Sequence, residues 1–115
     1  MLSKEVIIKK IDDLHNTIEG IKAEKDTISN ELKVVLAGSE LQLIMLQSSM
    51  GQSEESLRKL VEKFEERAKE LNEKYAIASA NQEVMEKSQL HAMIWTNDIR
   101  LDTLKWILED TEEIM

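Results

Sequence analysis

Few residues in this chain are able to do chemistry. The histidines are His15 and His91. Asp12, His15 and Glu19 follow one another at i, i+3 and i+7, so a helix would carry them on one face at a spacing compatible with metal ligation. A di-metal helical bundle needs more, namely two Glu-x-x-His pairs and two further glutamates. Neither histidine here has a glutamate three residues before it. The chain has no cysteine, hence no thiolate nucleophile, disulfide or zinc-thiolate set. Gly20, Gly38 and Gly51 are isolated, so no glycine-rich loop can cradle a phosphate. No serine stands in a nucleophile-elbow context. Carboxylates abound, but raising one to act as a general acid takes burial or a like-charged neighbour in a dry pocket. The sequence offers no loop-built pocket of that kind. The expectation is a non-catalytic protein with no metal and no cofactor.

Composition narrows the elements that could position any site. The chain has 115 residues, 42% hydrophobic and 33% charged, with four aromatics and no proline. That is one domain's length, 1–115. So few turn formers and aromatics argue against a sandwich or barrel and for long helices. The longest apolar run in the buried-looking part is Leu43-Ile44-Met45-Leu46, far short of a membrane span. The first 20 residues hold no signal-peptide core. The expected location is the cytoplasm, with signal-independent export left open.

The formal charge is -8, from 23 acids and 15 bases. This balance speaks against a phosphate-backbone binder, which needs a basic stripe. Residues 97–115 hold six acids against Arg100 and Lys105, which is half of the net charge. The plain reading is a solvated helix end. The sharper one is an acidic face for a basic partner.

Apolar spacing is the strongest signal. Ile7, Ile11, Leu14, Ile18, Ile21, Lys25, Ile28, Leu32 and Val35 step by four and three, the seam of a coiled coil. Lys25 interrupts this seam. It either sets register or partner choice, or snorkels to water. The stripe then slips near Gly38-Ser39-Glu40, where the helix either breaks or runs on through a stutter. Residues 41–50 are apolar nearly all round and must be covered on several sides. Gly51-Gln52-Ser53 is the clearest turn, with Ser53 as an N-cap before Glu54 and Glu55. A second seam reads Leu57, Val61, Phe64, Ala68, Leu71, Tyr75 and Ala78. Its outer face carries Glu54/Arg58, Glu55/Lys59, Glu65/Lys69 and Glu70/Lys74, each with the acid four residues before the base. A third seam is Leu90, Ile94, Asn97, Leu101, Leu104 and Leu108, in which Asn97 stands at an apolar position and is a candidate register residue.

The expected fold is all-α: a long antiparallel helical hairpin or coiled-coil bundle, with a three- or four-helix variant open, completed by oligomerisation. Helices are expected over 3–50, with a possible break at 37–40, then 54–78 and 82–113. The last helix has a second apolar side. At 100° per residue, Trp95, Ile99 and Trp106 fall within about 40° of one another, opposite the leucines. A helix apolar on two sides is sandwiched. The stripe therefore packs on a third helix of the same chain, on a second copy, or in the groove of another protein. Tryptophan is favoured at interface centres, and Asp102, Glu109 and Asp110 would frame such a centre. Trp95, Ile99, Trp106, Asp102, Glu109 and Asp110 are thus the candidate partner-binding residues, with Lys25 and Asn97 as register or specificity residues.

The functional expectation is a protein–protein interaction module, such as a small helical chaperone, adaptor or assembly subunit. It would self-associate or take a helical partner, without binding nucleic acid directly or acting on a small molecule. The alternative is an acidic inhibitor, of the kind found in phages and mobile elements, occupying a nucleic-acid-binding or regulatory site on another protein. The architecture is similar to small helical hairpin proteins in general. No motif ties it to one family, and the Trp-x-Gly turn of small exported hairpins is here Met50-Gly51-Gln52.

Overall fold

The computed structural model describes residues 1–24 and 29–109. Four helices follow one another: α1 (Lys4–Lys22), α2 (Asn30–Ser49), α3 (Glu54–Ala80) and α4 (Val84–Ile107). No strand occurs among the described residues. The all-α bundle is therefore the observed architecture, in its four-helix form.

Three of the four starts are fixed by serine. The side-chain oxygens of Ser3, Ser29 and Ser53 accept from the backbone N–H groups of Val6, Leu32 and Ser56 at 3.4, 3.2 and 3.1 Å. Each satisfies a first-turn donor that has no partner inside the helix. Acids follow in each of these first turns, where the helix dipole favours them.

The first break is not where the stutter suggested. Residues 37–40 lie inside α2, and the chain instead leaves helix between Lys22 and Asn30. Ala23 closes α1, and Ser29 opens α2. The seam of Ile7 to Val35 is thus split between two antiparallel helices rather than running along one. Lys25 and Ile28 lie outside the described residues. Gly38 stays helical, and a Cβ built on it would stand 3.6 Å from both Ile99 and Trp95 of α4. The small residue that looked like a helix stop marks a close helix–helix approach.

The ends expected at 50–53 and near 80 are observed. Gly51 adopts φ +84° in the first turn, a conformation that suits a residue without Cβ. At the second, the N–H of Gln82 donates to Ser79 O at 3.2 Å and that of Glu83 to Ala78 O at 2.9 Å. This is a Schellman closure with Gln82 at φ 56° in the position glycine usually takes.

Two helical hairpins result, α1–α2 and α3–α4, joined at their bases. There the N-terminal halves of α1 and α3 meet the C-terminal halves of α2 and α4. The common core holds Ile7, Leu14, Leu46, Leu57, Val61, Leu101, Leu104, Ile107 and Leu108. Leu46, Leu104 and Ile107 have no measurable exposure, and each such side chain contributes about 1.5–3 kcal/mol by burial. A backbone hydrogen bond of 2.8 Å from Leu2 N to Ile107 O ties the start of the chain to the end of α4. Away from the base, the α3–α4 hairpin has its own small core of Leu71, Ala78 and Leu90, with Tyr75 and Ile94 against it.

The shape is a plate of 48 × 43 × 20 Å, about two helix diameters thick. Its radius of gyration is 16.0 Å, against about 13 Å for a compact chain of this size. The excess reflects two hairpins that share a base and leave a cleft between their upper parts. Among the described residues no helix is long and apolar enough to cross a membrane.

Three substitutions should separate these backbone roles in urea unfolding. Gly38→Ala places its Cβ at ordinary contact distance in a helix interior and should stabilise by up to about 1 kcal/mol. Gln82→Gly relieves the left-handed residue and should gain about 1 kcal/mol. Gly51→Ala introduces the same strain and should lose about that much.

Candidate functional site

The second apolar side of α4 has its neighbour within the chain. Trp95 and Ile99 face Gly38 of α2. Ile99 is buried, and Trp95 is partly buried. Trp106 packs against the common core at the base. For Ile99 the neighbour is therefore a helix of the same chain, while Trp106 is partly buried against the core. Ile99, at 3% exposure, has no surface left to offer elsewhere. Trp95 differs because one side of its indole borders open space.

That space is the cleft between the hairpins. Its main hollow, about 460 Å³, is lined by Lys33, Val34 and Ala37 of α2 and by His91, Ala92 and Trp95 of α4. A second of about 240 Å³ continues it past Trp95 to Val35, Gly38 and Ile99. A third of about 210 Å³ adjoins at Ala92, bounded by Met93, Thr96, Asn97, Arg100 and, reaching across from α3, Arg67. Val34 and Val35 are about half exposed there, at 55% and 49%. His91 is steadied from the far side by Tyr75 of α3, with ring centroids 6.4 Å apart. Lys87 sits over the same Tyr75 ring at 5.5 Å.

Asn97 occupies its seam position as a buried residue facing α3. Its Nδ2 donates to the carbonyl of Phe64 at 3.0 Å. Its Oδ1 is buried without a hydrogen-bond partner. An unmet buried acceptor of this kind carries a desolvation cost.

Of the acidic candidates, Asp102 and Glu109 are among the described residues. Asp102 is partly buried on the flank of α4. Desolvation, and then the neighbouring Asp98 charge, raise its carboxyl above the usual range, against a smaller opposing pull from Lys105. Glu109 takes the left-handed conformation just past α4, with φ 63°. Its Oε2 is 3.3 Å from the amino nitrogen of Met1. Its own N–H donates to the Trp106 carbonyl at 3.0 Å. Asp110 lies outside the described residues.

Asp12, His15 and Glu19 are exposed on α1. Among the described residues no group of three or more potential ligands is arranged to hold a metal ion.

Val34, Ala37, Arg67 and Arg100 were not singled out by the sequence reading. For Arg67 a signal exists. Arg58, Lys59, Lys69 and Lys74 each have a glutamate four residues before them, whereas Arg67 has Lys63. The structure shows the consequence for the first two pairs. Arg58 meets Glu54 at 3.1 Å and Lys59 meets Glu55 at 3.6 Å. Arg67 and Arg100 have no ion-pair partner among the described residues.

Comparison with protein-family models, with curated proteins and with solved structures finds no match to this chain.

Asp102 gives a pH test. Its folded carboxyl titrates above its unfolded value, so ionisation at neutral pH works against folding. The penalty fades as pH falls through that raised value and the group is protonated in both states. Asp102→Asn should therefore be more stable than the parent at pH 7, by a few tenths of a kcal/mol for a group this exposed. The gap should close near pH 3. Urea unfolding at the two pH values measures it, and a gap that widens on acidification would reverse the assignment.

Proposed function

We propose that this protein is a non-catalytic interaction module that receives a helix of another protein in the cleft between its two hairpins. The observation that supports this most directly is the partly open indole of Trp95, set beside exposed Val34 and Val35 in a concave, mostly apolar surface. Apolar grooves between helices take amphipathic helices because a row of side chains at helical spacing fills them. Tryptophan at the centre of such a groove buries much area with few rotatable bonds. A small helical chaperone, adaptor or assembly subunit would work this way.

Self-association belongs to the same proposal but uses a different surface. At the tip of the α3–α4 hairpin, Ile77, Val84 and Met85 stand 62%, 75% and 80% exposed. Three large apolar side chains gathered at one end of a two-helix arm favour covering by a second copy.

The two surfaces are tested separately. Trp106→Phe leaves Trp95 as the only indole. Titration with a synthetic amphipathic helix of roughly five turns, with a leucine stripe and glutamine flanks, should then shift its emission to the blue and saturate. Val34→Glu, at an exposed position, should abolish the shift while leaving helical content unchanged. A saturable shift that survives Val34→Glu would place the helix elsewhere.

Light scattering on a sizing column reads the other surface. The parent should show a mass above the monomer that rises with concentration, and Met85→Glu should remain monomeric. A parent that stays monomeric at every concentration would refute the tip contact.

A further inference from the structure

We infer that the helix received by the cleft is acidic along its flanks, and that Arg67, Arg100 and Lys33 are the residues that select it. This deepens the preceding proposal and rests on it. The argument is one of charge placement. The chain has 23 acids and 15 bases, so a surface taken at random is acidic. Yet no aspartate or glutamate lines any of the three adjoining hollows. Their charged lining is Lys33 in the hollow between α2 and α4, and Arg67 with Arg100 in the one between α3 and α4.

The arginines sharpen the case. The chain has three. Arg58 is used in an ion pair with Glu54. The other two come from different helices, α3 and α4, converge on one hollow, and carry no ion pair among the described residues. Guanidinium groups present planar forks that match a carboxylate in bidentate geometry. Their hollow measures about 210 Å³, below the roughly 300–1,000 Å³ of small-molecule pockets. It suits one side chain of a docked helix better than a free ligand. Asn97, 3% exposed, lines the same hollow with its Oδ1 unpartnered.

The hollow that holds Lys33 is floored by Val34, Ala37 and Trp95, and it shares Ala92 with the hollow of Arg67 and Arg100 in the groove between α3 and α4. A helix with an apolar stripe and acids on its flanks is complementary to this order of groups. A basic helix would set like charges at both hollows. The acidic candidates of the sequence, Asp102 and Glu109, are not among the lining residues. The charge sign expected of this partner is therefore opposite to the one suggested by the acidic C-terminal stretch.

The experiment uses the full chain carrying Trp106→Phe and three synthetic helices with one leucine stripe, flanked by glutamate, glutamine or lysine. Affinity is read from Trp95 emission. The glutamate helix should bind about tenfold tighter than the glutamine one, as expected for part-buried charge pairs, and the lysine helix weaker than either. The R67Q/R100Q double variant should bring the glutamate and glutamine helices to equal affinity. It should leave the glutamine helix's own affinity unchanged. At about 1 M salt, where the screening length is near 3 Å, the preference should shrink. Equal binding of all three helices would overturn the charge assignment while the helix-receiving cleft stands. Retention of the preference in the double variant would overturn the role of the arginines. Failure of all three helices to bind would overturn both readings. A saturating shift produced by raising the protein's own concentration would show that a second copy fills the cleft, and would overturn the acidic partner.

Discussion

The architecture depends on α4 having to satisfy two neighbours at once. One side carries Leu90, Leu101, Leu104 and Leu108 and packs on α3. The opposite side carries Trp95 and Ile99 and meets α2 where Gly38 lacks a side chain. If α4 were apolar on one side only, the α3–α4 hairpin would have no reason to hold α1–α2 beside it above the base. A bulky residue at 38 would push α2 away from the indole, and the cleft walls would part. The plate-like shape, the cleft and the partial exposure of Trp95 all follow from this two-sided helix.

The base and the upper parts of the hairpins are held differently. At the base, all four helices bury leucine and isoleucine side chains together, and the chain start is fastened to the end of α4 by the Leu2–Ile107 backbone hydrogen bond. Higher up, the hairpins still meet where Gly38 faces Trp95 and Ile99, and otherwise each relies on its own two helices. α3 and α4 share a short row of buried residues. α1 and α2 add an exposed ion pair of 3.5 Å between Lys22 and Glu40, of a type that contributes at most about 1 kcal/mol. Burial per residue is therefore greatest where the chain needs a fixed frame and least where the cleft opens. Regions with few buried contacts are the ones that open locally at low free energy. The proposed docking of a helix would draw on this difference, the walls yielding while the base stays intact.

Much of this could be read from the sequence, for identifiable reasons. The seams of α3 and α4 could be read because they face a helix along their whole length, so the four-and-three spacing persists. The serine caps at 29 and 53 fix helix starts, but only Ser53 was recognised, since a glycine turn precedes it. Gly38 was misleading because a glycine inside an apolar stretch serves either as a helix end or as a place of close approach. Only the facing tryptophan, distant in sequence, decides between them. The stripe of Trp95, Ile99 and Trp106 was legible as a second buried side. That its three members have different surroundings was not, because the spacing fixes an angle around the helix and says nothing of what lies opposite at each level. Lys25 and Asp110 stand outside the described residues, so their expected roles have no structural counterpart. The cleft itself was invisible, since its walls come from α2, α3 and α4 at positions that share no sequence pattern.

The charge distribution is the last element to place. A net charge of -8 suggests, taken whole, a surface that attracts bases. On α3, however, Glu54 and Glu55 are spent locally, in pairs with Arg58 and Lys59 along its outer face. Such pairs are neutral at a distance and well screened. What a docking partner meets is the field at the concave surface, where low-dielectric walls reduce screening and each unpaired charge weighs more. There, among the described residues, the unpaired groups include the Arg67 and Arg100 guanidinium ions. Local geometry therefore outweighs the total charge in deciding what this surface attracts. A few bases confined to one cleft do not make the long stripe that a phosphate backbone requires.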